Sequence, residues 1–275
     1  MRKAISGAIY FLSAAIGVLA FVYPFFIGRQ VTGSIGIAHG PDAPLVTTAL
    51  VGLSLIALLV ELQGQAISAK TVAMLGVLVA ITSVLRFVEV AIPMPGGFSP
   101  IFAPIILAGY VFGGRFGFLM GTFTLLVSGL ITGGVGPWLP YQMFTAGWVG
   151  LTAGWMGNTL RPTPRTLKGG LGFGGWKLGL LAAFGFTWGL LYGVIINIYF
   201  WPFAVGPVEQ TWGPGIGLGE TLARYAAFYA ASSLGWDLIR AGGNVALILL
   251  LGAPTVRTLT RFQRRFHFEV AHGQG

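Results

Sequence analysis

Long, uninterrupted apolar runs dominate this sequence, and short segments rich in Gly, Pro or basic residues separate them. A helix needs about 20 apolar residues to cross the hydrocarbon core of a bilayer, and most of these runs supply that length. Strands of a membrane barrel would instead show stretches of about ten residues with alternating hydrophobicity. The pattern predicts about eight transmembrane helices, at roughly 5–27, 44–63, 71–92, 100–113, 116–132, 138–157, 177–201 and 221–252.

Three of these spans have unusual lengths or positions. The span at 100–113 is short for about 30 Å of hydrocarbon, so we expect neighbouring helices to bury part of it. The last span is long enough to tilt or break, and Gly235 or the Gly242–Gly243 pair offers a break point. The first span follows basic residues, as a signal peptide would. It is longer than a signal h-region and lacks a small-residue cleavage site, so we predict a helix that is retained.

The composition supports the membrane assignment. Hydrophobic residues make up 55% of the chain and charged residues 8%, whereas a soluble domain carries about 25% charged residues. Lipid must therefore cover much of the exterior, and we predict an all-α polytopic membrane protein. Cysteine is absent, which excludes disulfides, thiolate metal ligands and cysteine nucleophiles. The three histidines fall outside the spans, and the sequence predicts no metal site and no cofactor.

The basic residues predict the orientation in the membrane. Cytoplasmic connections are the ones enriched in Lys and Arg, so both termini are predicted to be cytoplasmic in a multi-pass protein of the cell membrane. The net charge of +9 then reflects topology and attraction to anionic inner-leaflet lipid, and we predict no nucleic-acid partner. Twelve of the 16 basic residues lie at alternate helix junctions or at the termini: Arg2, Lys3, Lys70, Arg115, Arg161, Arg165, Lys168, Lys177, Arg257, Arg261, Arg264 and Arg265.

The connections at the opposite ends of the helices carry the unusual sequence. The segments 93–100, 133–142 and 202–220 combine Gly and Pro with aromatic residues. Flexible aromatic loops above a helix bundle can form a mouth that closes over a ligand. The alternative is that they are turns whose aromatic residues sit at the membrane interface, as Trp and Tyr commonly do.

Polar residues inside the spans are candidates for function, because burying them in a membrane is costly. Arg86 and Glu89 share one helix face, as do Asp237 and Arg240. Their alternative role is internal pairing that holds helices together. No catalytic set and no phosphate loop is visible, so we predict no enzymatic activity. The candidate substrate-binding residues are Arg86, Glu89, Phe98, Trp138, Tyr141, Gln142, Asn197, Asp237, Arg240 and Asn244.

Two stretches of the sequence resemble a known family. KTVAMLGVLVAITSVLRF at 70–87 and the following segment, with its GGRFG turn and GPWLPYQM sequence, are similar to S components of energy-coupling factor (ECF) vitamin transporters. The resemblance covers roughly 70–265 and implies a six-helix core with cytoplasmic termini. It divides the chain into an extra pair of helices at 1–66, the core at 67–256 and a basic cytoplasmic tail at 257–275.

The resemblance also implies a function. S components are substrate-binding subunits of ABC importers, and they work with a transmembrane coupling subunit and two ATPase subunits. In that family a small-xxx-small motif on the first core helix docks on the coupling subunit, and here it matches Ala73, Gly76 and Ala80. The vitamin binds near the outer surface, under loops that correspond to residues 93–99, 133–142 and about 212–224.

The resemblance favours cobalamin or a related corrinoid as the ligand. The GPWLPYQM segment most resembles S components assigned to cobalamin or related corrinoids. Riboflavin, folate or a queuosine precursor would suit an aromatic, glycine-lined mouth nearly as well. A solitary membrane transporter is the contrasting function, and a membrane-embedded lipid enzyme ranks last, because no intramembrane His or Ser-Lys pair is present.

Overall fold

The computed structural model describes residues 69–92, 97–136, 138–160, 175–213 and 215–266, together with single positions between residues 8 and 56. These ranges contain helices and no strand. The helices are α1 (Ala69–Ala91), α2 (Phe102–Phe112), α3 (Gly114–Thr132), α4 (Leu139–Leu160), α5 (Trp176–Phe200), α6 (Leu218–Ser232) and α7 (Leu234–Phe266). Short 3-10 turns at Trp201–Phe203 and Val208–Gln210 connect α5 to α6.

Some predictions fall on other parts of the chain. Most of the predicted span at 44–63, the basic connection at 161–174 and the end of the tail at 267–275 lie outside the described residues. The first span is described at eight positions, all of them helical, from Ala8 to Phe21. Helices α1 to α5 follow the predicted spans to within a few residues, which confirms an all-α polytopic membrane protein.

For the last span, the predicted length and the predicted position of the break were wrong. The chain forms two helices there, and they meet at Ser233 rather than at Gly235 or the Gly242–Gly243 pair. Ser232 Oγ donates to the carbonyl of Phe228 at 2.7 Å, and serine side chains that bond the backbone in this way weaken a helix. The glycines lie inside α7, where Gly243 allows the Phe98 ring to approach the backbone. Helix α7 also continues to Phe266, beyond the predicted end at 252.

Helix length and burial fit a membrane. Among the described helices, four segments are long and apolar enough to span one: Ala69–Ala91, Gly114–Thr132, Trp176–Phe203 and Leu234–Gln263. Helix α2 is shorter, and neighbouring helices bury nearly all of it, with Ile105, Ile106 and Ala108 fully buried. Its burial confirms the expectation for the short span at 100–113, because a helix shielded by protein need not match the bilayer thickness.

Glycines allow α3 and α4 to pack very closely. A Cβ on Gly117 of α3 would overlap the backbone of Gly150 on α4, and a Cβ on Gly150 would overlap Gly117 in turn. The two backbones therefore touch, as small residues permit between membrane helices. Gly113, with φ of 99°, supplies the turn between α2 and α3, in a backbone region that other residues rarely adopt.

Candidate functional site

A cavity of about 350 Å³ lies between the helices at one end of the bundle. Residues near the end of α1, the start of α2 and α4, the end of α5 and the start of α7 line it, together with Leu125 of α3. This is the end that carries the three connections rich in Gly, Pro and aromatic residues. Six of the ten predicted site residues meet there: Arg86, Glu89, Gln142, Asn197, Asp237 and Arg240.

The first ion pair lies on α1. Arg86 and Glu89 are one turn apart, and the Arg86 guanidinium donates to Oε1 of Glu89. The other carboxylate oxygen, Oε2, accepts a hydrogen bond of 2.8 Å from Ser99 Oγ, in the connection that leads to α2. The Glu89 side chain is 12% exposed, so protein surrounds most of it. Both oxygens of this carboxylate are thus held in place at the edge of the cavity.

The second ion pair lies on α7 and is buried more deeply. Arg240 donates to Oδ1 of Asp237, whose side chain is only 2% exposed. The Arg240 guanidinium also lies over the rings of Phe102 and Tyr192, at 5.9 and 5.2 Å from their centroids. A cation over aromatic faces is stabilised most when water is excluded. The pair on α7 is therefore fixed by contacts from α2 and α5.

Gly193 provides the space for the Asp237 carboxylate. It precedes Asn197 by one turn on α5, and a Cβ built there would overlap the carboxylate atoms. A larger residue would push the carboxylate away from this position or separate α5 from α7. Glycine is therefore favoured at position 193 because α7 approaches closely. The backbone conformation of Gly193 is ordinary for a helix.

The charges around the cavity balance. Two guanidiniums, of Arg86 and Arg240, and two carboxylates, of Glu89 and Asp237, are the charged groups in its lining. Their formal charges sum to zero, and each guanidinium is already paired with a carboxylate. A buried net charge is costly without a partner. The arrangement therefore suits a ligand without net charge that offers hydrogen-bond donors and acceptors.

Uncharged polar groups complete the lining. Asn197 Nδ2 donates to Ser233 Oγ at 2.6 Å, which joins the end of α5 to the break between α6 and α7. Gln142 lines the cavity from the first turn of α4. Ser99 lies in the predicted loop at 93–100. The sequence did not point to four other lining residues, because they come together only through packing: Phe102, Tyr192, Ser233 and Trp236.

Four predicted site residues do not line this cavity. Phe98 packs against Gly243, and Asn244 is buried and donates to the carbonyl of Gly185 at 3.0 Å. Trp138 is 38% exposed and donates to the carbonyl of Gly134 at 3.1 Å. Tyr141 is buried and stacks on Tyr199 of α5, with ring centroids 3.9 Å apart. Ligand contact by Phe98, Trp138, Tyr141 and Asn244 stays a prediction.

The predicted docking residues lie on the exposed face of α1. Ala73, Gly76 and Ala80 of α1 are exposed. No described residue lies within 4 Å of a Cβ built on Gly76. Small exposed residues one turn apart leave a shallow face against which another membrane helix can pack closely. Contact with a coupling subunit at this face stays a prediction.

The described residues hold no group of three or more His, Cys, Asp or Glu side chains that could bind a metal ion.

Among comparisons with known proteins, the family model described as "ECF-type riboflavin transporter, S component" matches residues 66–213, more than half of the chain. The match includes the cavity residues of α1 to α5 and ends before those of α7. No curated protein and no solved structure matches the chain.

Proposed function

This chain belongs to the family of ECF-type riboflavin transporter S components, and on that premise we propose that it binds a vitamin in the cavity lined by α1 to α5 and α7. The observation that carries the proposal is the polar cavity at the end of an otherwise apolar bundle. Polar and charged groups inside a membrane protein are costly and usually serve a function. Here two ion pairs and two amides converge on one space.

We propose a flavin, riboflavin, as the first ligand to test. The family description names riboflavin, and the cavity volume of about 350 Å³ lies at the low end of the roughly 300–1,000 Å³ typical of small-molecule sites. The aromatic side chains of Phe102, Tyr192 and Trp236 line the cavity, as suits a flat heterocycle. Gln142 and Asn197 can both donate and accept hydrogen bonds, as the polar edge and hydroxyl groups of a flavin require.

A corrinoid such as cobalamin is the second candidate ligand. The GPWLPYQM segment supports it by resemblance. A corrin macrocycle with its side chains is several times larger than a flavin, so it would need the cavity to open considerably. Trp138 and Tyr141 of that segment lie outside the cavity lining. Folate and a queuosine precursor remain further candidates, and folate carries carboxylates that the charge-balanced lining does not match.

The transport step follows from the family. We propose that the loaded protein docks through Ala73, Gly76 and Ala80 on a transmembrane coupling subunit, which two ATPase subunits drive. In this proposal the cavity end of the bundle faces outward, both termini are cytoplasmic, and the ligand is released inward. The exposed small-residue face of α1 supports the docking, and the distribution of basic residues supports the orientation.

Titration of the purified protein in detergent tests the ligand. Riboflavin, cobalamin, cobinamide and a queuosine precursor are titrated separately, by calorimetry and, for the flavin, by quenching of its fluorescence. We expect riboflavin to bind, and Gln142→Ala to weaken it by about tenfold or more. Flavin mononucleotide should bind about tenfold or more weakly than riboflavin, because both cavity guanidiniums are already paired and its phosphate adds a charge.

The outcomes separate the alternatives. Tight binding of cobalamin with no binding of riboflavin would retain the S component function and replace the proposed ligand. Equal affinities for riboflavin and its phosphate would contradict the argument from charge balance. Failure of every vitamin to bind, together with substrate uptake by the protein without ATPase subunits, would favour a solitary transporter instead.

A further inference from the structure

The first span of the chain packs on the core through one face. Phe21 is 5% exposed, and its ring meets the ring of Tyr141 on α4 edge to face, with centroids 4.9 Å apart. It also lies 5.8 Å from the ring of Trp148, two turns further along α4. Phe21 is therefore buried against aromatic side chains of the core, in contrast to the exposed positions of its own segment.

A second contact fixes the register of this packing. Gly17 lies one turn before Phe21, and a Cβ built on it would lie 2.8 Å from the ring of Phe144. Any side chain at this position would therefore press on that ring. In the same segment Phe11 is 73% exposed and Leu19 is 67% exposed. One face of the segment thus meets α4 and the other faces away from the core.

The contact surface adjoins the cavity. Tyr141, which Phe21 touches, stacks on Tyr199 of α5 with ring centroids 3.9 Å apart and an interplanar angle of 25°. Gln142 directly follows Tyr141, and Asn197 precedes Tyr199 by two residues. Both amides line the cavity. Phe21 therefore packs against the Tyr141–Tyr199 stack, which adjoins both amides in the sequence.

We propose that Gly17 and Phe21 of the N-terminal segment are positioning residues for the ligand cavity. Phe21 supports the Tyr141–Tyr199 stack beside Gln142 and Asn197, and Gly17 lets the segment approach Phe144 of α4 closely. The inference rests on the proposed vitamin-binding function. The family match begins at residue 66, so this segment is an addition of this chain to the matched core. It acts as an additional helix of the binding unit, without touching the ligand.

Riboflavin titration of the full-length protein in detergent tests the inference. Phe21→Ala should weaken binding by up to about tenfold, because it removes the aromatic contact that supports the Tyr141–Tyr199 stack. Phe11→Ala, at an exposed position of the same segment, should bind like the wild type. Phe21→Tyr retains the ring and should restore most of the affinity. Gly17→Ala, which presses on Phe144, should weaken binding in the same direction.

A double-mutant cycle separates positioning from general stability. If Phe21 acts through the amide of Gln142, Phe21→Ala should cost much less affinity in the Gln142→Ala background than in the wild type. Full additivity of the two losses would overturn the inference, as would wild-type affinity in both Phe21→Ala and Gly17→Ala. If Phe21→Ala does not fold, the same double-mutant cycle is measured with Gly17→Ala and Gln142→Ala, and its result decides whether the inference holds. If the wild-type protein binds no vitamin, both the proposed function and this inference are wrong.

Discussion

The guanidinium of Arg240 lies over the ring of Tyr192, with 5.2 Å between its carbon and the ring centroid. The ring of Phe102 flanks the same guanidinium and meets Tyr192 edge to face, with centroids 4.6 Å apart. Asp237 neutralises the cation. One charged side chain thus connects α2, α5 and α7 beside the cavity, so its contribution to binding and its contribution to stability are coupled.

Removing Arg240 should destabilise the protein strongly. Loss of one member of a buried ion pair costs about 3–5 kcal/mol, because the other charge stays buried without a partner. The Asp237 side chain is 2% exposed. We expect Arg240→Gln to lower the thermal midpoint in detergent clearly. Asp237→Asn combined with Arg240→Gln should recover much of the loss, because no unpaired charge remains.

The ion pair of Arg224 and Glu220 on α6 is the matched control. It has the same kind of partners, but Glu220 is 50% exposed, and exposed pairs contribute about 0–1 kcal/mol. Arg224→Gln should therefore lower the thermal midpoint little. Equal losses in Arg224→Gln and Arg240→Gln would show that the α7 pair is not buried as described.

Gly193→Ala should weaken riboflavin binding and lower the thermal midpoint. Its methyl group would overlap the Asp237 carboxylate, so the acid must move or α5 and α7 must separate. Gly179→Ala on the same helix is the control, because no described residue lies within 4 Å of a Cβ built there. We expect Gly179→Ala to match the wild type in affinity by calorimetry. Equal affinities in both variants would contradict the close contact at Gly193.

The helices could be predicted from the sequence because their signal is local. A run of apolar residues long enough for the bilayer fixes a span regardless of its neighbours, and α1 to α5 lie where this pattern placed them. The break at Ser233 was missed because glycine is the commoner signal for a helix end. Here the end falls at two consecutive serines, one of which bonds the preceding turn and the other Asn197.

The candidate site could be predicted only in part, for a similar reason. The pairs Arg86–Glu89 and Asp237–Arg240 lie one turn apart on single helices, so spacing alone brings each pair together. Tyr192 reaches the cavity through contacts with Phe102 and Arg240, which are distant from it in sequence. No spacing rule gives such contacts, because they depend on how the helices pack.

The orientation of the bundle can be tested in whole cells. The chain contains no cysteine, so single cysteines can be labelled selectively with an impermeant maleimide. Val208→Cys lies in the connection at the cavity end and is 63% exposed, and we expect it to be labelled. Arg115→Cys, exposed at the start of α3, should be labelled only after the cells are permeabilised. The reverse pattern would overturn the proposed orientation.

Bulky residues on the exposed face of α1 should block transport without affecting ligand binding. Gly76→Val combined with Ala80→Leu fills the shallow surface, on which a partner helix needs small residues to pack closely. The cavity lies between helices and does not include these positions. We expect riboflavin uptake by cells that express the complete transporter to be abolished, while calorimetry on the isolated double variant gives the wild-type affinity.

The matched control for this variant lies on α5. Gly179 and Ala183 are also exposed and four residues apart, so Gly179→Val with Ala183→Leu makes the same change of volume on another membrane-facing surface. Uptake should persist in this control, because the docking face is specific to α1. Normal uptake in the α1 variant would contradict the proposed docking face. Loss of uptake in both variants, with both proteins present in the membrane, would show that added bulk on either surface hinders transport and that α1 has no special part in docking.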